Sequence, residues 1–217
     1  MSERSNGIYA KIIKRLFDIL ICIAVFVLFW WLYLIIAILV KVNLGSPIIY
    51  HQDRPGMIDK KTGKEKIFRL YKFRSMTDER DENGNLLPDT KRLTKFGKTL
   101  RASSMDELPE LWNILIGDMS LIGPRPLAVR YLDYYTAEEH HRHDVRPGIS
   151  GLAQTHGRNA ITWEERFSYD LYYVEHISLL LDIKIIFETV VTVLKHQGIG
   201  EGEQIEQSLN RIRSKQK

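Results

Sequence analysis

The stretch that decides the architecture is residues 19–40, ILICIAVFVLFWWLYLIIAILV, which contains no charged side chain. A helix of these 22 residues is roughly 33 Å long, about the thickness of a bilayer's hydrocarbon core. A secretory signal has a shorter apolar core followed by a small-residue cleavage site, and Lys41-Val-Asn-Leu-Gly45 does not match one. The alternative is a helix buried in the core of a soluble domain, but such helices are seldom apolar on all sides over this length. We therefore predict a membrane-embedded helix within an anchor segment, residues 1–43.

The charges that flank this segment do not orient it. Basic residues lie on both sides: Arg4, Lys11, Lys14 and Arg15 before it, and Lys41, Arg54, Lys60 and Lys61 after it. The positive-inside bias therefore selects neither end. The pair Trp30-Trp31 lies at the middle, an unusual depth for a residue that prefers the interface. Two topologies stay open, a helix that spans the bilayer and a helix that bends back to the same face.

The amino-acid composition limits the classes of partner that the protein can bind. Among 217 residues, 31 are basic and 27 acidic, for a net charge of +4, and the two signs are interleaved. A nucleic-acid binder concentrates its positive charge on one face, so we predict no nucleic-acid partner and favour anionic lipid or a phosphorylated substrate. The single cysteine, Cys22, lies in the apolar segment, which excludes a disulfide framework and indicates a reducing, cytoplasm-facing domain.

The pattern of apolar residues predicts an α/β domain over residues 44–197 that is mostly helical, with a small β-hairpin. Residues 47–52 and 67–73 have strand character and are separated by a turn rich in Lys and Gly. Helices are predicted over 106–116, 137–143, 163–176 and 177–195, the first with Ser104 and Glu107 as a capping box. The last helix fits either the core or a membrane surface. Residues 198–217 are polar and predict a loose tail.

Two adjacent carboxylates are candidates for chemistry. On a helix, Asp106 and Glu107 point about 100° apart, so they are not a symmetric dyad that shares one proton. They can take separate roles, one as nucleophile and the other as metal ligand or proton acceptor. The alternative interpretation is an acidic first turn that complements the helix dipole.

Two arginines beside prolines and glycines are candidates for phosphate binding. Arg125 lies between two prolines, which would present its guanidinium rigidly, although a simple turn arginine is the alternative. Arg146 precedes a proline and a glycine whose backbone N–H could approach an anion. The histidines at 140, 141 and 143 have no fourth ligand at a convincing spacing, so no metal site is predicted there.

Four ordered motifs carry a resemblance to a known family. They are KFRSM (72–76), DELPELWNI (106–114), GDMSLIGPRP (117–126) and VRPGISGLAQ (145–154). Together they resemble the bacterial sugar transferases, and more narrowly the small monotopic phosphoglycosyl transferases that start glycan assembly on polyprenyl phosphate. The resemblance extends over residues 11–195.

The resemblance implies residue roles and a reaction. Asp106 matches a nucleophilic aspartate that also holds Mg²⁺, and Glu107 matches its partner. Arg125 matches an arginine that engages phosphate, and Lys72 and Arg101 match basic residues of the active site. The implied reaction moves a phospho-sugar from a UDP-sugar to polyprenyl (undecaprenyl) phosphate and releases UMP, through a covalent aspartyl-phosphosugar intermediate. It is the first membrane step of glycoconjugate biosynthesis.

The resemblance also implies a place in the cell. The catalytic domain should face the cytoplasm at the bacterial inner membrane, with interfacial amphipathic helices beside an N-terminal re-entrant helix. In the family a Ser-Pro pair bends that helix, whereas residues 19–40 contain no proline. The short form and the segment 157–163 look more like members that use N-acetylated sugars. A catalytically silent membrane scaffold or regulator is the alternative function, against which the presence of Asp106, Glu107 and Arg125 argues. Homodimerisation is left open.

Overall fold

The computed structural model describes residues 5, 7–157, 161–194 and 208–214. The chain is mostly helical, as predicted, with two small two-stranded sheets, of which only the hairpin was predicted. It begins with a continuous helix, Tyr9–Leu44, whose first turn, Tyr9–Ile13, is π-helical and whose remainder, Lys14–Leu44, is α1. Among the described residues this helix alone is long and apolar enough to cross a membrane. It ends at Gly45, where φ is +80°.

Helix α1 bends at its middle without a proline. Phe29 has non-helical dihedral angles, φ −121° and ψ 18°. Two residues later the indole Nε1 of Trp31 donates a hydrogen bond of 3.1 Å to the carbonyl oxygen of Leu28. A side chain thus supplies a partner for a backbone carbonyl beside the bend, which an apolar surrounding could not do. The bend coincides with the Trp30-Trp31 pair.

One narrow stripe of α1 is buried against the rest of the protein. Its members follow a spacing of four residues on each side of the bend: Lys14, Asp18 and Cys22, then Ile36, Val40 and Leu44. Cys22 packs with Phe68 and Ile114 in one core cluster, and Val40 packs with Phe73 and Leu100 in another. The other apolar faces are open, and Trp30 is 63% exposed. This pattern fits a helix with protein on one side and lipid on the others.

The predicted hairpin is present and is longer than predicted. Strand β1, Ile49–Ile58, pairs antiparallel with β2, Glu65–Phe73. Lys72 is the register partner of Tyr50, and Phe68 is the register partner of Arg54. Phe68 and Leu70 are buried in the cluster that also contains Cys22 of α1. Since side chains alternate along a strand, Phe68, Leu70 and Lys72 share this inward face.

A short parallel sheet joins the middle of the chain to its second half. Helices α2 (Asp89–Arg92), α3 (Lys95–Ala102) and α4 (Glu110–Ile116) lead to β3, Ser120–Ile122, which pairs with β4, Gly148–Ser150. Backbones approach very closely here. A Cβ built on Gly148 would lie 2.1 Å from the Gly123 nitrogen. The glycines of both motifs are therefore explained by backbone packing.

The C-terminal half is helical. It consists of two 3₁₀ helices, Val129–Tyr134 and Glu139–Asp144, and of α5 (Leu152–Thr155), α6 (Trp163–His176), α7 (Leu179–Leu194) and α8 (Leu209–Ser214). The prediction for residues 163–176 is confirmed, and Thr162 with Glu165 forms its capping box. The predicted helix 137–143 is a 3₁₀ helix instead. One side of α7 packs in the core, where Ile185 is fully buried, while Leu180 is 81% exposed. A location of the exposed side at a membrane surface stays a prediction.

The predicted loose tail contains an ordered helix. Leu209 of α8 is fully buried beside Leu127, Tyr131 and Phe167. Arg213 forms ion pairs of 2.6 Å with Glu139. Where polar composition predicts a loose segment, one leucine and one arginine suffice to dock a short helix. The rest of the segment 198–217 lies outside the described residues.

Candidate active site

The two adjacent carboxylates lie on a 3₁₀ turn, Met105–Glu107, that precedes α4. Ser104 has φ +56°, which ends α3, and Pro109 is the N-cap of α4. The predicted continuous helix 106–116 and its capping box are therefore wrong. The Ser104 side chain makes no capping hydrogen bond with any described residue, and the Glu107 carboxylate bonds to two cations instead. Charge-assisted bonds of this kind are stronger than a neutral capping bond.

Glu107 is the centre of the charge cluster. Its Oε1 accepts hydrogen bonds from Lys72 Nζ at 2.8 Å and from Arg125 Nη2 at 2.5 Å. Burial by itself would raise the pKa of Glu107, but Arg125 and Lys72 outweigh it and hold that pKa well below its usual range. Glu107 is therefore ionised at every physiological pH, and it raises the pKa of Arg125 in return.

Glu110, a buried carboxyl that the sequence did not single out, lies beneath this pair. Lys72 Nζ is 3.0 Å from its Oε1, a contact with ion-pair distance but without the alignment of a hydrogen bond. Burial raises the pKa of Glu110 to about 7, with Glu107 adding to the rise and Lys72 opposing it. Burial lowers the pKa of Lys72, but the negative charges of Glu107 and Glu110 raise it by more. The net pKa of Lys72 is therefore raised, and its side chain stays charged.

Asp106 is the unpaired carboxylate of the site. It is buried, yet no described residue donates a hydrogen bond to it or forms an ion pair with it. Burial and Glu107 raise its pKa, while Lys72, Arg101 and Arg125 lower it. A carboxylate with free oxygens, close to three cations, can attack an electron-poor phosphorus or hold a cation together with a ligand.

Arg101 lies at the edge of the same cluster. It is in the last turn of α3, and its Nε donates to Ser75 Oγ at 2.9 Å. Apart from that bond, no described residue holds its guanidinium. The structure thus brings together five of the six predicted site residues: Asp106, Glu107, Lys72, Arg101 and Arg125.

The sixth predicted residue, Arg146, lies elsewhere. Its Nε donates to the carbonyl oxygen of Gly117, at the C-terminal end of α4, at 3.0 Å. Arg15 contacts the same end of α4 and donates to the carbonyl oxygens of Ile114 and Leu115. These two arginines satisfy the carbonyl groups of a helix end, opposite to the end that carries the carboxylates. A phosphate-binding role for Arg146 stays a prediction.

Arg142 holds the loop that carries Arg125. Its Nη2 donates to the Arg125 carbonyl oxygen at 2.7 Å, and its Nε and Nη2 donate to Asp170 Oδ2 at 3.0 and 2.6 Å. Both charged side chains are buried. The sequence contained a signal for this pair, because Asp170 interrupts the apolar stripe of α6 formed by Phe167 and Tyr173.

The histidines have separate partners. His140 contacts Glu65 at 2.7 Å and His141 contacts Asp144 at 3.1 Å, while buried His143 shares a hydrogen bond with the Gly56 carbonyl oxygen. Burial, and then Arg142, lower the pKa of His143 to about 3, so it stays neutral. Across the described ranges no three His, Cys, Asp or Glu side chains converge on a metal-binding point. Magnesium commonly needs only one or two carboxylates, with substrate phosphate and water as the other ligands, and Asp106 fits that requirement.

Comparison with known proteins gives a family. Residues 9–196 match the family model described as bacterial sugar transferase. A sugar transferase of uncharacterised activity from Bacillus subtilis, EpsL, is 50% identical over 194 residues, which cover 87% of this chain and 90% of that protein. All of the structural elements described here except α8 lie within the matched range.

Two further relatives are named for an activity. The UDP-N-acetylgalactosamine-undecaprenyl-phosphate N-acetylgalactosaminephosphotransferase of Aeromonas hydrophila is 40% identical over 87% of this chain. The UDP-glucose:undecaprenyl-phosphate glucose-1-phosphate transferase of Klebsiella pneumoniae is 41% identical over 85% of it. The chain spans 45% and 40% of the length of these two proteins. Their sugars differ although their identities to this chain are nearly equal.

Proposed function

This chain belongs to the bacterial sugar transferase family, and we propose that it transfers a sugar 1-phosphate from a UDP-sugar to undecaprenyl phosphate, with release of UMP. The observation that carries the proposal is Asp106, a buried carboxylate without a partner among the described residues, close to Lys72, Arg101 and Arg125. Its oxygens are not among the buried atoms that lack a partner, so the carboxylate is open to solvent and therefore to a substrate. The same observation argues against a silent scaffold.

We propose a reaction in two displacements. The Asp106 carboxylate attacks the β-phosphorus of the donor, the bond from that phosphorus to the bridging oxygen breaks, and UMP leaves with the oxygen. A lipid phosphate oxygen then attacks the same phosphorus and displaces Asp106 from the acyl phosphate. One phosphoanhydride is exchanged for another, so no further energy source is needed. The acceptor phosphate has a second pKa of about 6, as phosphate monoesters do, so it is largely ionised at neutral pH.

The remaining side chains orient and neutralise. Glu107 fixes Lys72 and Arg125 through bonds of 2.8 and 2.5 Å, so that both cations are in place before an anionic substrate arrives. Arg142 holds the Arg125 backbone. Because its pKa lies far below neutral, Glu107 is a fixed anchor and does not exchange protons during the cycle. Asp106 would hold Mg²⁺, which when bound would neutralise the donor diphosphate.

We propose that α1 enters the membrane from the cytoplasmic face and returns to the same face. The support is its contact with the catalytic domain on both sides of the bend. Tyr9 and Lys14 bond to Asp182 at 2.6 Å near the start, Tyr33 donates to the Leu108 carbonyl oxygen past the middle, and Leu44 packs near Phe73 at the end. A helix that crossed the bilayer would touch a cytoplasmic domain at one end. Homodimerisation stays a prediction.

The sugar is left to experiment. The expectation of an N-acetylated sugar donor depends on the short form and on residues 157–163, of which 158–160 lie outside the described residues. The two named relatives use N-acetylgalactosamine and glucose donors. We propose that a panel of UDP-sugars containing N-acetylated hexoses, glucose and galactose includes the donor.

The test is UMP release in the presence of Mg²⁺ and undecaprenyl phosphate, across that panel. Asp106→Asn should reduce release at least about 1,000-fold, because an amide is not a nucleophile here. Asp133→Asn, the same change at an exposed aspartate, should have no effect. Full activity of Asp106→Asn would refute the nucleophile, and inactivity of folded wild-type protein toward every donor would favour the silent scaffold.

A further inference from the structure

We propose that Arg54 is an additional phosphate-binding side chain of this site, and that it contacts a substrate phosphate group together with Arg125. This inference rests on the proposed function, which supplies two phosphorylated substrates. Arg54 lies in a β-strand, outside the four motifs. It is not flanked by two prolines, the feature that singled out Arg125.

The hairpin register places Arg54 on the inward face. Its cross-strand partner is Phe68, and the next partners on that face are Leu70 opposite Gln52 and Lys72 opposite Tyr50. Directly opposed residues of an antiparallel pair project to the same side. Phe68 and Leu70 are buried, and Lys72 reaches Glu107 and Glu110. Arg54 therefore lies on the face that carries the charge cluster.

The Arg54 guanidinium lacks an anionic partner. Its Nη2 donates to Gln52 Oε1 at 2.7 Å, on the same strand. Its Nε is buried and has no hydrogen-bond partner among the described residues. No carboxylate in the described ranges lies within ion-pair distance of it. Leaving a cation in this state is unfavourable, so the arrangement does not serve the stability of the ligand-free protein.

The neighbour of Arg54 makes the arrangement more unusual. Burial, and then the charge of Arg125, lower the pKa of Arg54. Arg125 has one bond to Glu107 and its side chain is still 40% exposed. The two guanidinium groups therefore repel each other, and Glu110, whose negative charge favours the charged form of both, lies at ion-pair distance from neither. A phosphate or diphosphate oxygen that entered between them would relieve the repulsion and supply the missing acceptor.

Other arginines of the protein show what a structural role looks like. Arg142 is bound by Asp170 and the Arg125 carbonyl oxygen. Arg74 donates to the carbonyl oxygens of Met76 and Ser46 and pairs with Asp78. Each of these two has backbone and carboxylate acceptors, whereas Arg54 has one amide oxygen. Arg54 therefore differs from both, because no carboxylate among the described residues pairs with its guanidinium.

The experiment compares Arg54→Gln with Arg69→Gln in the full-length protein. Arg69 is exposed on the opposite face of the same hairpin, opposite Asp53, so its substitution removes the same charge without reaching the site. Arg54→Gln should lower kcat/KM by about 10- to 100-fold, the range for a lost charge-assisted hydrogen bond. Arg69→Gln should leave it unchanged. Varying the UDP-sugar and the undecaprenyl phosphate in separate series identifies whose KM rises, and hence whose phosphate Arg54 contacts.

Thermal unfolding supplies a readout that is independent of turnover. Without ligand, Arg54→Gln should match or exceed the wild-type Tm, while the stabilisation by UDP or inorganic pyrophosphate should shrink. Arg74→Gln, which removes a structural arginine, should lower the ligand-free Tm. If Arg54→Gln lowers the ligand-free Tm as Arg74→Gln does, or leaves both KM values and the ligand stabilisation unchanged, the inference is wrong. If wild-type protein turns over no donor, the proposed reaction fails, and the UDP and pyrophosphate shifts still decide the role of Arg54.

Discussion

Glu107 shows how one residue organises the site. It bonds to a cation from the hairpin and to a cation from the Gly-Pro-Arg-Pro loop, two segments far apart in the chain. Glu110, three residues on, contacts the same lysine but is nearly enclosed and has a pKa of about 7. Two like carboxylates beside one ammonium therefore differ in charge near neutral pH, and this difference is measurable.

The substitution Glu107→Gln should lower the free energy of unfolding by about 3 kcal/mol at pH 7, because it leaves Lys72 and Arg125 without their common anion. The pKa of Glu107 is depressed in the folded state, so its stabilisation is fully present above the ordinary value of 4.5 and is lost as the pH falls from there toward the folded value. Denaturant unfolding of detergent-solubilised protein between pH 7 and about pH 2 should therefore show a nearly constant difference from wild type down to about pH 5 and a shrinking difference at lower pH. A constant difference would contradict the assignment.

The matched change Glu110→Gln should cost much less. Its folded-state pKa is raised, so ionisation of Glu110 makes the wild type progressively less stable as the pH rises from 4.5 to about 7. The glutamine removes that loss, and the variant should gain relative to wild type over this window. The same unfolding series measures both variants. A variant that weakens relative to wild type as the pH rises would show that Glu110 is ionised in the fold.

At this scale, the sequence predicted the site residues that lie in recognisable motifs, although those motifs are separated along the chain. Asp106, Glu107, Lys72, Arg101 and Arg125 were predicted and are brought together. Arg146 was predicted from its proline and glycine, but those residues serve backbone packing. Glu110 and Arg54 were missed because their distinguishing feature, burial beside particular charges, depends on contacts that no local pattern encodes.

Among the elements, the β3–β4 pair has little room for added side-chain atoms. The backbone of the Gly-Pro-Arg-Pro loop lies against the Arg-Pro-Gly segment, and a Cβ on Gly123 would be 2.4 Å from the Arg146 carbonyl oxygen. Arg125 follows two residues after this contact. The position of a phosphate-binding side chain thus depends on two glycines in separate motifs.

The change Gly148→Ala should destabilise the protein by about 3 kcal/mol or more, because its Cβ would lie 2.1 Å from the Gly123 nitrogen and no flexible side chain can yield there. Activity should fall with it, since the Arg125 loop must move. Gly84→Ala is the control: the added Cβ meets nothing within 4 Å, and only the strain of φ +80°, about 1 kcal/mol, remains. Equal effects in the two variants, measured by Tm and UMP release, would contradict the packing argument.

Prediction of the elements succeeded where the pattern is local. The hairpin and α6 follow from alternation and from a capping box. The split of 106–116 into a 3₁₀ turn and α4 did not follow, because ion pairs to Lys72 and Arg125 outweigh the local cap. Helix α8 was missed, because its docking depends on Glu139 and on a pocket beside Tyr131.

The whole molecule is organised around α1, which contributes to two core clusters and is exposed on its other sides. The π-helical turn at Tyr9 packs on a third cluster, which contains Ile185. The sequence predicted the helix and left its topology open, since the flanking charge is symmetric. Contact with the domain on both sides of the bend is a three-dimensional property, and it favours a return to one face.

Cysteine labelling tests this topology. In a Cys22→Ala background, Lys11→Cys and Asn43→Cys, both exposed at the two ends of the helix, should react with a membrane-impermeant maleimide from the same side in inverted vesicles. Leu28→Cys, exposed beside the bend, should be protected by lipid. Reaction of the two end positions from opposite sides would establish a spanning helix and refute the re-entrant proposal. The UMP assay confirms that each variant is folded.

The bond between Lys14 and Asp182 has a consequence for synthesis. The two residues are 168 positions apart, so the ribosome makes the lysine long before the aspartate that will neutralise it. Tyr9 bonds to the same carboxylate, so the first turns of the chain are held by a residue near its other end. A chain that ends before α7 would lack this carboxylate and would leave the hydroxyl and the ammonium without their common acceptor. The position of the first helix is therefore completed only when α7 has been made and has folded against it.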